Sequence, residues 1–156
     1  IYEITREKIH FHMVKTNIPM KKNPYLHFFQ YFPPSRLIDG SLATYMTQFD
    51  ACIVLFNFKV CSCMDRFYTS YPSRFLYALT AGIPIVMPSG FLPACEEFVE
   101  KHQIGFAYKN LRELKEKLKN GNLMRKYRMN ARKKAINFCY EKYIHKFREL
   151  FKNVLS

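Results

Sequence analysis

No stretch of this sequence approaches the ~18 uninterrupted apolar residues that would cross a bilayer. The first residues, IYEITREKIH, lack the charge-then-apolar order of a secretory leader. Three familiar signatures are missing as well. There is no G-x-x-x-x-G-K-[ST] loop, no G-x-G-x-x-G turn and no G-x-S-x-G elbow, which argues against P-loop, dinucleotide-binding and hydrolase readings. Cysteine occurs five times, at 52, 61, 63, 95 and 139, an odd number without a disulfide-scaffold spacing. Reduced thiols in a cytoplasmic setting are therefore expected. Cys61-Ser62-Cys63, taken with His27 or His102, is not a zinc knuckle and has no second knuckle to pair with. No metal is expected.

What is present fits one domain. A chain of 156 residues is large enough to bury roughly two-thirds of its unfolded surface. It starts at Ile1 in mid-sequence, so residues 1–156 are expected to be one domain of a longer two-domain chain. The formal charge is +13, and it is unevenly spread: residues 109–156 hold fifteen Lys and Arg against four Glu. A basic region of this kind attracts phosphate-bearing partners such as nucleic acid, anionic lipid or phosphorylated glycans. The lysines alternate with apolar residues rather than forming a block, which equally suits the wet faces of amphipathic helices.

Apolar patterning alternates strand with helix. Residues 1–7 read as the frayed end of a helix, 9–14 and 26–29 as strands, and 15–24 as a Pro/Lys-rich loop. A helix runs from Ser35 or Ser41 to Phe49, then a buried strand from 51 to 56, then a loop over 57–70. Further on come a helix over 92–102, a strand over 104–108, and a helix over 111–119 with Asn110 as its cap. Asn120-Gly121-Asn122 breaks the pattern before two final helices, about 123–138 and 140–154. Tyr143, Phe147, Leu150, Phe151 and Val154 line the last one. This order predicts an α/β fold, a Rossmann-like parallel sheet with helices on both faces and the C-terminal helices packed on the domain.

The most informative stretch is YPSRFLYALTAGIPIVMPSG, residues 71–90. Pro72 suits the first helical position, and Phe75, Leu76 and Leu79 make a core-facing stripe while Arg74 and Tyr77 share another face. Gly82 ends the helix, and residues 83–87 form a strand buried on both sides. Ser89-Gly90 then opens a loop at the strand's carboxyl end, where open α/β sheets bind ligands.

Pro72, Arg74, Ala81, Gly82, Pro84 and Ile85 fit the pattern P-x-R/K-x6-A-G-x-P-[VI], which resembles the donor-site helix of GT-B glycosyltransferases. SLATYMTQFDACIVLF upstream and EFVEKHQIGFAY downstream resemble that family's flanking segments, in the same order. The resemblance covers roughly residues 8–156. It implies the C-terminal half of a GT-B fold that takes a nucleotide-diphosphate sugar as co-substrate, needs no cofactor, and transfers the sugar to a glycan or glycolipid. It further implies that an N-terminal acceptor domain, outside these residues, carries the catalytic base, and that the terminal helix pair bridges toward it.

The residues alone reach the same place. Tyr71, Pro72, Ser73 and Arg74 open a helix whose amides and partial positive charge suit a diphosphate, with Arg74 as a permanently charged fork. A surface ion pair is the plainer role for Arg74. Tyr77 stands where many relatives carry a ribose-binding glutamate, and Thr69 where they carry its partner. Ser89 and Gly90 offer backbone N–H groups to sugar or phosphate, or form an ordinary turn. Glu97 matches the family's E-x-V glutamate, or faces solvent. Phe29, Tyr31 and Phe32 suit stacking on a base, although Phe29 suits the core better. His12 is a candidate for approaching the donor, with a structural role as its alternative. A non-catalytic basic module binding nucleic acid or an anionic membrane surface is the competing reading.

Overall fold

The computed structural model describes residues 1–15, 21–56, 68–138 and 143–155. Helix α1 (Tyr2–Arg6) precedes β1 (Phe11–Val14) and β2 (Leu26–Phe29), which pair in parallel with Phe11 opposite Leu26 and Val14 opposite Phe29. Two short helices, α2 (Pro34–Ile38) and α3 (Ser41–Met46), lead to β3 (Cys52–Ile53). Next come α4 (Ser73–Thr80), β4 (Ile85–Pro88), α5 (Pro93–His102) and β5 (Gly105–Tyr108). Helices α6 (Leu111–Lys119), α7 (Gly121–Ala135, continued by a 3-10 turn at Ile136–Phe138) and α8 (Ile144–Leu155) complete the order.

The fold is α/β with parallel strands, as the alternation predicts, but the strands fall into two small sheets. One is β1–β2 and the other β3–β4–β5, with β4 central. Side chains join them: Ile9 and Phe11 pack against the same buried layer as Ile53 and Leu55, and the rings of His12 and Phe49 lie 4.8 Å apart.

β4 shows why the second sheet is covered on both faces. Successive strand side chains point to opposite sides, so Ile85 and Met87 enter one apolar layer and Val86 the other. The first layer holds Phe75 and Leu79 of α4 with Cys95 and Val99 of α5. In the second, Val86 meets Phe106, Leu114 of α6, Met124 of α7 and Ile4 of α1. Each such fully buried side chain stabilises by about 1.5–3 kcal/mol relative to exposure. Helix α7 serves both layers, with Met124 in one and Ala131 in the other. The N-terminal helix is thereby more than a frayed end, since Ile4 is 3% exposed.

Several local expectations change. Of the two starts offered for the helix ending near Phe49, Ser41 is the one found, and α2 is a separate helix, because Gly40 at φ 80° turns the chain and Asp39 Oδ1 accepts the Ser41 N–H at 2.8 Å. Left-handed backbone is inexpensive only for glycine. On α4 the buried stripe is Phe75, Ala78 and Leu79, while Leu76 is 40% exposed; an i, i+3, i+4 set replaces the expected i, i+1, i+4. Pro72 sits one place before the helix, in extended backbone. The break expected at residues 120–122 is present and is made by a cap: Asn120 Oδ1 accepts from the Leu123 N–H at 3.0 Å, and α7 begins at Gly121. The buried strand over 51–56 narrows to Cys52–Ile53, with Val54 still 1% exposed. Most of the loop over 57–70 lies outside the described residues.

Candidate functional site

Helix α4 owes its position to two anchors. Its stripe of Phe75, Ala78 and Leu79 is buried against β4 and α5, and Gly82, at φ 62°, turns the chain directly into β4. A Cβ at Gly82 would lie 3.1 Å from the Arg132 Cα of α7, so glycine also permits a close helix approach. The amino end of α4 is thereby fixed beside the carboxyl ends of β3 and β4.

Arg74 stands in the first turn of this helix. Its Nη1 donates to the Leu55 carbonyl at 2.5 Å, and its guanidinium carbon lies 4.9 Å from the centre of the Phe56 ring. Both contacts are just beyond β3. The neighbouring Cys52 thiol is pushed up to about 11 by burial, and the Arg74 charge opposes part of that rise. Among the described residues Arg74 makes no ion pair, although the side chain remains exposed. A guanidinium has five N–H donors, so one bond to Leu55 leaves most of the fork to face outward.

The charge pattern here runs against helix electrostatics. An α-helix carries about half a positive charge at its amino end, which acidic residues or side-chain caps ordinarily offset. α4 has no acidic residue in its first turn, no side-chain cap, and a cation there. By contrast, α6 opens with the Asn110 cap at 2.9 Å and Glu113 in its first turn, and α5 carries Glu96. The amides of Phe75 and Leu76 both donate back to the Pro72 carbonyl, at 2.9 and 3.1 Å. Those of Ser73 and Arg74 precede that turn. Tyr71 stacks on Phe75 at 5.3 Å and meets Phe98 edge-on at 5.5 Å, so it walls the helix start. Tyr77 is half-buried one turn further on.

The loop after β4 follows the second of its two expected roles, a strand-to-helix turn. The Ser89 N–H donates to the Tyr108 carbonyl at 2.9 Å, and the Gly90 N–H donates to Glu96 Oε2 at 2.8 Å. Ser89 Oγ also donates to Glu96 Oε1 at 2.8 Å. Both amides offered to a phosphate are thus spent within the fold, and a carboxylate of the chain itself occupies the loop. Glu96 was not singled out from sequence; its neighbour Glu97 was, and Glu97 is exposed. The available signal was Glu96 in the first turn after Pro93, where a carboxylate can reach back to the preceding loop.

His12 and Tyr31 belong to the other sheet. His12 stacks on His27 at 4.4 Å, and His27 Nε2 is 2.8 Å from His10 Nδ1, so three imidazoles line one face of β1–β2. Desolvation first, then the charges of His27 and His10, hold the His12 imidazole below its ordinary value. Tyr31 is 69% exposed beyond β2, and Phe29 packs on Phe32 and Tyr45. No hydrogen bond, ion pair or ring contact among the described residues joins His12 or Tyr31 to α4. The structure thus brings Tyr71, Pro72, Ser73, Arg74 and Tyr77 together and leaves His12 and Tyr31 apart. Among the described residues no His, Cys, Asp or Glu cluster has metal-holding geometry, and Cys61 and Cys63 lie outside them. No helix is long and apolar enough to cross a membrane among the described residues. No family model matches the chain, and no curated protein matches it significantly.

Proposed function

We propose that the chain is the donor-binding domain of a GT-B-type glycosyltransferase, one half of that Rossmann-like fold, and that α4 takes the diphosphate of a nucleotide-sugar. The observation that carries this reading is the uncompensated positive charge at the start of α4, with Arg74 in the first turn beside the carboxyl end of β3. An incoming diphosphate relieves that repulsion and meets the remaining guanidinium donors. Transfer needs the departing diphosphate stabilised, which a cation and a helix start supply without a metal. Tyr77 contributes at most a single hydroxyl contact to the ribose, where a carboxylate would give two. The acceptor pocket and catalytic base belong to a partner domain outside these residues, and the setting is the cytoplasm or the inner membrane surface.

Thermal-shift measurements with uridine, guanosine and cytidine diphosphates test the assignment, because a ligand of the folded state raises its stability by mass action. One base should raise the melting temperature, and Arg74→Ala should weaken that ligand at least about tenfold. A melting temperature indifferent to all three, or an equal shift in the Arg74→Ala chain, removes the reading.

A second reading has its own observation. α8 exposes Leu150 (57%) and Phe151 (61%) on a helix that also carries Lys146, Arg148 and Lys152. Apolar and basic side chains on one exposed helix suit an anionic membrane surface. Vesicle binding that is lost on adding salt, alongside no nucleotide response, favours it.

A further inference from the structure

A cleft of 390 Å³ lies between the carboxyl end of α5 and the far half of α7, lined by Lys101, His102, Gln103, Asn130, Lys133, Lys134 and Asn137. It sits where α5 delivers the chain into the start of β5, on the opposite edge of the sheet from Arg74. Asn130, Lys133, Lys134 and Asn137 recur at i, i+3, i+4 and i+7, so they form one stripe of α7 and its 3-10 continuation. A stripe turned toward a neighbouring helix is ordinarily apolar. This one is two amides and two ammonium groups.

The cleft is also held in shape. Phe98 seats two of its groups: the His102 ring meets it edge-on at 4.5 Å, and Lys134 Nζ lies 5.4 Å from its centre. Asn130 Nδ2 donates to the Gln103 carbonyl at 3.0 Å and ties α7 to the end of α5. No carboxylate lines the cleft. Among the described residues Lys101, Lys133 and Lys134 form no ion pair, although Glu97 stands one turn before Lys101. Desolvation and the charges of Lys134 and Lys101 hold His102 below its ordinary value, so the three groups share one field. The carboxyl end of α5 contributes about half a negative charge, which three ammonium groups outweigh.

We infer that this cleft is a binding site for a small phosphate-bearing anion, recognised by Lys101, Lys133 and Lys134 with His102 and the Asn130 amide alongside. Its volume of 390 Å³ falls in the range of small-molecule pockets, roughly 300–1,000 Å³. The site is separate from the start of α4 and does not depend on the reading given to that helix. The phosphate could arrive on a free metabolite or as a lipid headgroup.

The test titrates the full chain with inorganic pyrophosphate at constant ionic strength, by calorimetry and by the NMR signals of the His102 ring. Saturable binding that perturbs the His102 ring is expected, weakened at least about tenfold in K101Q/K133Q and retained in R74A, which removes only the pyrophosphate bound at α4. Both lysines are exposed, so the double variant should keep the parent melting temperature; K101R/K133R keeps the charge and should retain affinity. Equal binding by the double variant overturns the proposal, as does a response that sodium chloride reproduces. So does loss of binding in R74A alone, which would assign the anion to α4. Vesicles of phosphatidylcholine with and without phosphatidic acid identify the source. Binding to them that K101Q/K133Q abolishes together with pyrophosphate binding points to a headgroup, and pyrophosphate binding without vesicle binding points to a free ester. Vesicle binding without pyrophosphate binding rejects the cleft.

Discussion

A methyl group added to Gly105 would stand 1.8 Å from the Ile85 carbonyl oxygen, inside the backbone of the central strand. Neither atom can rotate away, so β4 and β5 would have to separate. Gly105→Ala is expected to cost about 3 kcal/mol or more, read from urea denaturation, and a neutral result would show that the β4–β5 register is different. Histidine protonation acts at the same scale. His12 and His102 are both held below the ordinary 6.5, so the unfolded chain binds their protons first as pH falls. Stability is complete above about 6.5 and declines below it until the folded-state values are passed. Glu7 and Glu113, lowered by hydrogen bonds from Lys115 and Lys117, add a second decline below 4.5. Melting temperatures measured from pH 8 to 5 should fall at the acid end, and His12→Asn should flatten that slope. The sequence singles out Arg74 because a guanidinium beside the free amides of a helix start suits a diphosphate. It did not reveal Glu96, since a carboxylate's reach back to a loop depends on how tightly Ser89 and Gly90 turn.

At the scale of elements, capping and periodicity carry most of the information. Asn110 and Asn120 each accept an amide three residues on, from Glu113 and Leu123. Replacing Asn110 by alanine should cost about 1 kcal/mol, and a change below a few tenths would mean the side chain is not a cap in solution. Leu114, 0% exposed in α6, should cost about 2–5 kcal/mol as alanine; Leu118 is only half-buried and should cost less. These features were readable because the cap and the stripe lie within one helical turn of each other. The split of residues 34–46 into two helices was less so, as it rests on one glycine adopting φ 80°. Apolar character alone places Leu76 inward, because it does not distinguish i+1 from i+3. Ala78 takes the inward place, its small side chain fitting directly against the layer shared with β4.

Across the whole molecule, the basic residues of the last third do not act as one patch. Lys115 and Lys117 are committed to Glu7 and Glu113, and Arg128 donates to the carbonyls of Thr47 and Phe49 ahead of β3. Net charge, countable from sequence, therefore overstates the charge left for a partner. Parallel pairing was also legible, because runs such as IPIVM have no polar alternation and must be covered on both faces. The division into two sheets was not, since it depends on side chains meeting where a continuous ladder would otherwise run. One element gives this architecture its mechanical character. Because α7 packs along the edge strand β5 with Met124 in the apolar layer on one face and Ala131 in the layer on the other, it works as a clip over two plates. Neither plate can peel off while it is seated, so heat should release them at a single temperature, with no half-dismantled species for a protease to find.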